Sequence, residues 1–188
     1  MNDRLNTIVD LEKYPIHDLN SPIIKNLIEK CKIELEEDSC STIPNFILPK
    51  SLEIMNLELE KQLDEVYMSK EKINAYLYAK DDPSLPKDHP KRNFMDRYNG
   101  YLNSDCFKKN SEMKYLYETE ELLNFVSACL GVSPIYRWAD PLACHAYNVM
   151  EPEGILPWHF DSCEFTLSLM IQKPENGGIF EYCPNIRE

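Results

Sequence analysis

The stretch LPWHFDSCEFTLSLMIQKPENGGIFEYCP, residues 156–184, decides the fold. Near its start stands His159-Phe160-Asp161. Beyond that the chain alternates: Phe165, Leu167, Leu169 and Ile171 fall on one side of an extended backbone, Thr166, Ser168 and Met170 on the other. Period-two alternation marks a strand with one face on a core. The turn signal KPENGG separates this run from another, GIFEYCP. Working back, LACHAYNVM and IYRWA read as earlier strands, with EPEG as a turn. From Pro134 onward the sequence thus predicts successive antiparallel strands.

Upstream the period is helical. NSPIIKNLIEKCKIELEEDS opens with Asn/Ser capping residues and a proline in the first turn, and Ile24, Leu27, Ile28, Cys31 and Leu35 make one apolar stripe. CSTIPNFILP is extended. A second helix is expected from near Pro49 through KSLEIMNLELEKQLDEVYM, with Leu52, Met55, Leu59, Leu63 and Val66 facing the core. INAYLYAK reads as a strand. Residues 81–112 form a long polar connection, either a solvated loop or a lid that brings His89, Arg92, Phe94, Arg97 and Tyr98 over a polar substrate. TEELLNFVSACLG is a third helix, capped by Thr119 and stopped by Gly131. Helices first and strands after is the order of an α+β fold. One domain is expected over 1–188, with a helical layer and lid in 1–133 and the sheet in 134–188.

Net charge is −12 and no run of Lys and Arg tracks phosphates, which argues against nucleic acid and anionic membranes as partners. No run approaches the roughly 18 apolar residues of a membrane span. Seven cysteines without a C-x-x-C pair suit free thiols in a reducing cytoplasm. Cys144 and Cys183 lie in strand-like runs and read as small core residues. Cys163 lies close to His159 in sequence but lacks a neighbouring base.

In extended backbone, residues i and i+2 project to the same side. His159 and Asp161 therefore reach toward one point while Phe160 packs away. An imidazole and a carboxylate, completed by a second histidine, make the three-ligand face of non-haem Fe(II) oxygenases, with three positions left for cosubstrate and dioxygen. Taken alone, H-x-D is a weak signal that arises by chance in many proteins, and more often marks an ordinary turn between strands.

The run WHFD…EFTLSLMIQKPENGGIFEYCPNIR resembles the Fe(II)/2-oxoglutarate-dependent halogenases and hydroxylases that act on free amino acids. The resemblance continues upstream through RWADPLACHAYNVM, DDPSLPKDHPKR and LEKYPI, so it covers nearly the whole chain in order. It implies a double-stranded β-helix (jelly-roll) core behind an N-terminal helical layer. It also implies oxidative decarboxylation of 2-oxoglutarate with dioxygen at Fe(II), and attack on an unactivated carbon of an amino acid substrate. In the halogenases a small residue replaces the carboxylate and chloride takes its place. Asp161 is present, so the resemblance points to hydroxylation.

The chain departs from the family's pattern. Its four histidines are 17, 89, 145 and 159, so none follows Asp161 as the distal ligand. Arg187 comes too early to match the basic residue that holds the far carboxylate of 2-oxoglutarate. A jelly roll takes about eight strands, and four or five are predicted here. The core is expected to be incomplete, and the chain on its own inactive: a fragment, or a degenerate non-catalytic binding module. His145 reads as a core histidine rather than a substitute ligand. Asp140, in RWADPL, is either a partner for a substrate ammonium or a turn carboxylate before Pro141. Asn148 is either an amide donor to 2-oxoglutarate or a strand-end hydrogen bond. Trp158 is expected beside the iron ligand, and Tyr76, Tyr78, Tyr136 and Tyr147 as core or cavity-wall aromatics.

Overall fold

Ser21 starts the longest helix. Its hydroxyl accepts a hydrogen bond from the Ile24 amide at 3.3 Å, Pro22 fills the first turn, and Ser39 closes the end in the left-handed region (φ 58°). The computed structural model describes residues 4–184 and 186. They contain five helices: α1 (Leu5–Ile8), α2 (Pro22–Asp38), α3 (Pro49–Glu60), α4 (Glu112–Glu118) and α5 (Glu120–Leu130). Three strands, β1 (Tyr67–Ile73), β2 (Met95–Leu102) and β3 (Tyr147–Val149), form one antiparallel sheet. The protein is thus mixed α and β. Its described residues divide into two compact units, one built from 4–60, 107–140 and the described part of 171–188, the other from 61–106 and 141–170.

The first unit holds the helices. Ile24, Ile28 and Cys31 form the buried stripe of α2, and Leu122, Phe125 and Cys129 that of α5, which packs against it. Each fully buried Ile, Leu or Phe contributes about 1.5–3 kcal/mol. Phe46 stacks on Phe125 with ring centroids 6.2 Å apart, and Tyr14 tilts onto Phe46 at 5.8 Å. Thr119 joins α4 to α5: its hydroxyl donates to the Leu116 carbonyl at 2.8 Å and accepts from the Leu122 amide at 3.4 Å. Gly131 ends α5 at φ 67°, a left-handed position where a β-carbon would be strained. Buried Ser51 of α3 donates its hydroxyl to Glu112 of α4.

The second unit holds the sheet, in the order β1-β2-β3. Tyr67 pairs with Tyr101, and Ile73 with Met95, while Tyr101 faces Asn148 across the other ladder. This register aligns Ser69, Glu71, Arg97, Asn99, Tyr101 and Asn148 on one face. Met68, Lys70, Tyr98, Gly100, Leu102, Tyr147 and Val149 share the other. Gly100 is required there, because a β-carbon would meet Val66 Cγ1 at 2.5 Å and Met68 Sδ at 2.6 Å.

Several sequence expectations need correction. The second helix ends at Glu60 rather than running through Met68; Leu63–Glu65 is a single 3-10 turn, and Tyr67 already belongs to the sheet. Pairing with β2 outweighs the helical spacing of Leu63 and Val66. The long polar connection 81–112 contains β2, the central strand. Its polar residues Asp96, Arg97 and Asn99 disguised it, since central strands usually read as apolar. INAYLYAK contributes only Ile73 to a strand; Asn74 then turns the chain. After Pro134, only Tyr147–Val149 is a strand among the described residues. IYRWA, FTLSLMIQ and GIFEYCP carry no ladder there, and their apolar side chains are largely exposed, Ile179 by 84% and Phe180 by 71%. Alternation specifies a face to bury, but a strand also needs a neighbouring edge. Tyr76, Tyr78 and Tyr136 are exposed rather than core, as is Cys183, and Cys144 is only half-buried. Arg187 lies outside the described residues. No helix among the described residues is long and apolar enough to cross a membrane.

Candidate functional site

Asn74 organises the ground on which the His159 segment rests. It is buried at the end of β1, and its side-chain oxygen accepts from the amides of Tyr76 (2.9 Å) and Tyr78 (3.1 Å). Its amide group donates to the Lys91 carbonyl at 2.6 Å. The turn so fixed presents the Ala75 carbonyl, which accepts from the Phe160 amide at 2.8 Å, and the Tyr76 ring, which meets Phe160 at 5.2 Å. Upstream, Ile155 bridges to Tyr98 of β2 by two backbone hydrogen bonds. Residues 155–160 are thereby held at both ends.

Phe160 packs toward Tyr76, and the residues on either side of it meet each other. His159 Nδ1 lies 2.8 Å from the Pro157 carbonyl. A carbonyl only accepts, so Nδ1 carries the proton, and in the neutral ring Nε2 carries the lone pair. That Nε2 sits 3.4 Å from Asp161 Oδ1. Asp161 Oδ2 accepts from the Thr166 hydroxyl at 2.6 Å, which sets the carboxylate's rotation. A backbone-anchored imidazole and a hydroxyl-anchored carboxylate are how metal ligands are commonly oriented. Protonated, the same pair is a His–Asp ion pair.

Among the described residues no group of three or more His, Cys, Asp and Glu side chains is arranged to hold a metal ion. The pair therefore offers two donors of the three that the iron face takes. His145 is buried: its amide donates to Ser104 Oγ at 2.9 Å and its Nδ1 lies 3.1 Å from Cys144 Sγ. It is a core histidine. Cys163 is exposed, with Sγ 3.9 Å from the Thr166 hydroxyl. Trp158 is half-exposed.

Asn148 belongs to a polar line that the sequence did not reveal. Its side-chain oxygen accepts from Asn99 Nδ2 at 2.8 Å, and Asn99 Oδ1 accepts from Arg97 Nε at 2.7 Å. Asn99 is 0% exposed, at the centre of the sheet. The Arg97 side chain is 13% exposed, lies over the Tyr101 ring at 4.9 Å, and reaches Glu71 at 3.5 Å. This face of the sheet thus carries a largely desolvated cation beside two amides. The only sequence signal was a charged residue two positions before an Asn in what reads as a loop.

Of the residues expected in a lid, Arg97 and Tyr98 belong to β2, while Arg92 and His89 are held by the loop itself. Arg92 makes a forked pair with Asp81 (2.9 and 2.8 Å) and donates to the Leu85 carbonyl at 3.0 Å. That guanidinium holds the Asp81 carboxyl below its ordinary range. His89 Nδ1 accepts from the Lys91 amide at 3.1 Å, capping the short turn Pro90–Arg92. Asp140 is exposed and belongs to the helical unit, where nearby Arg137 clamps its segment onto the Tyr117 and Thr119 carbonyls at 2.8 and 2.6 Å. The structure brings together His159 with Asp161, and Asn148 with Arg97, each within the sheet unit. Compared with known proteins, the chain matches no family model, no characterised protein and no solved structure.

Proposed function

We propose that this chain is an Fe(II)/2-oxoglutarate-dependent oxygenase hydroxylating an unactivated carbon of a free amino acid, built on a jelly-roll core. The observation that carries the reading is the His159–Asp161 pair: two donor atoms 3.4 Å apart, each oriented by a second hydrogen bond. The fit to iron is incomplete, because the described residues supply two of three donors. When bound, iron with 2-oxoglutarate and dioxygen supplies the oxidising power for a C–H bond. The remaining roles belong to the chain's own groups. Asp161 keeps a carboxylate where the halogenases it resembles admit a halide, which favours hydroxylation. Asn148, with its oxygen engaged by Asn99, directs its amide hydrogens outward as donors for a 2-oxoglutarate carboxylate. Arg97, joined to Asn148 through Asn99, supplies positive charge for a carboxylate on the same face.

Anaerobic calorimetric titration with Fe(II), followed by succinate release across a panel of amino acids, tests this. Binding that disappears in both His159→Ala and Asp161→Ala is the expected result. Metal binding of equal strength in the parent and both variants removes the reading.

The absence of a three-donor group among the described residues favours a second reading, a non-catalytic module binding a small acid on the Arg97–Asn148 face. It expects 2-oxoglutarate or an amino acid to bind without metal, with affinity unchanged in His159→Ala and reduced in Asn148→Ala.

A further inference from the structure

A cavity of about 540 Å³ opens in the sheet unit, lined by residues 70–72 of β1 and 96–98 of β2 together with Glu153 and Ile155. Its wall is stapled in place. Ile155 holds Tyr98 by two backbone hydrogen bonds (2.7 and 2.8 Å), and the Tyr98 hydroxyl donates to Glu151 at 2.5 Å. The Gly154 amide closes the turn onto the Glu151 carbonyl at 2.9 Å. Between these anchors Glu153 is held at φ 67°, the left-handed region that glycine takes freely and glutamate takes only under strain.

The charges around the cavity do not all cancel. Lys72 pairs with Asp96 at 3.0 Å, and Arg97 reaches Glu71 at 3.5 Å. Among the described residues the side chains of Lys70 and Glu153 make no hydrogen bond or ion pair; Lys70 Nζ stands over the Tyr98 ring, 5.6 Å from its centroid. A free cation and a free anion thus border one cavity, with the Tyr98 ring and Ile155 as its apolar surface. No polar contact among the described residues offsets the strain at Glu153.

We propose that this cavity binds a small zwitterion of the free amino acid class, with its carboxylate on Lys70, its ammonium on Glu153 and its carbon skeleton against Tyr98 and Ile155. A ligand of one sign would leave the other charge unmatched, whereas a zwitterion meets both. Fixing Glu153 before the ligand arrives lowers the ordering cost of binding, a use that a strained turn serves. The lining includes neither His159 nor Asp161, and Lys70 stands on the face of the sheet opposite Asn148. Binding here needs no metal and is independent of the oxygenase reading.

The test titrates the chelator-treated full chain calorimetrically with each standard amino acid, then with the N-acetyl and amide derivatives of any that binds. We expect one-to-one binding of at least one amino acid. Affinity should fall about tenfold or more for either derivative, and likewise in Lys70→Gln and in Glu153→Gln, since each removes one charge-assisted contact. Glu153→Gly should lose as much affinity with Tm close to the parent's, because glycine adopts that backbone without strain. Asn148→Ala should bind as the parent does. No binding of any standard amino acid at about 10 mM overturns the proposal, as does parental affinity in Lys70→Gln or Glu153→Gln. Binding that falls in Asn148→Ala but survives Lys70→Gln places the ligand on the opposite face and overturns it too.

Discussion

Asp161 is held by two different neighbours, and each makes a separable claim. On the proposed oxygenase reading, Asp161→Gly removes the carboxylate and is expected to abolish hydroxylation of an amino acid by a complete version of this protein, read as product by mass spectrometry. Parental turnover in that variant would show that the carboxylate is not a ligand. Thr166→Val deletes only the 2.6 Å hydrogen bond that sets the carboxylate's rotation. It should weaken metal affinity by about tenfold, as the loss of a ligand's supporting hydrogen bond does, without changing the fold by circular dichroism. At the centre of the sheet, Asn99→Ala removes the acceptor of Arg97 Nε, leaving the guanidinium its Glu71 contact, and frees the side-chain oxygen of exposed Asn148. A loss of about 1–3 kcal/mol is expected from the largely buried Arg97 Nε left without that acceptor, measured by urea unfolding. At this scale the sequence was half legible. The i, i+2 spacing announced that His159 and Asp161 would meet. Nothing in it announced Asn74, Asn99 or Thr166, because their roles depend on which backbone amides and side chains the folded chain brings within 3 Å.

Elements with their own stop and start signals were legible. Ser21, Thr119 and Gly131 marked helix ends because capping is local chemistry, satisfied by amides two or three residues away. Thr119→Ala should cost about 1 kcal/mol or more, since the hydroxyl serves α4 and α5 together. Its check is a shift in the chemical denaturation midpoint at unchanged slope. β2 was not legible: its identity rests on pairing with residues 67–73, of which Tyr67 and Met68 read as the end of a helix. The turn between β1 and β2 also carries a pH signature. The Arg92 guanidinium depresses the Asp81 carboxyl, so the pair's contribution is fully present above the ordinary carboxylate range. It is lost only as pH falls through the lowered Asp81 value. NMR titration should show the Asp81 carboxyl protonating below the ordinary carboxylate range, and Arg92→Gln should move it back toward that range.

For the whole molecule, composition bounded more than it specified. A net charge of −12 spread over the chain opposes association at low salt. The exposed Leu167, Ile179 and Phe180 favour it. Light scattering should therefore show self-association rising with added salt, and replacing Ile179 and Phe180 by Ser should suppress it. The order in which the chain visits its two units has a further, kinetic consequence. The segment 61–106 is inserted between α3 and α4, which pack on each other in the helical unit. Closing that contact around a disordered insert of 46 residues (106 − 61 + 1) carries a loop entropy that grows with the logarithm of its length. Once Tyr67 pairs with Tyr101, the hairpin brings the two ends of the insert together, and little of that entropy remains to be overcome. Zipping of β1 onto β2 is then the event that lets the helices find one another. Gly100→Ala, which crowds Val66 and Met68 inside that hairpin, should slow the refolding of the helices as followed by stopped-flow circular dichroism, although it lies in the sheet.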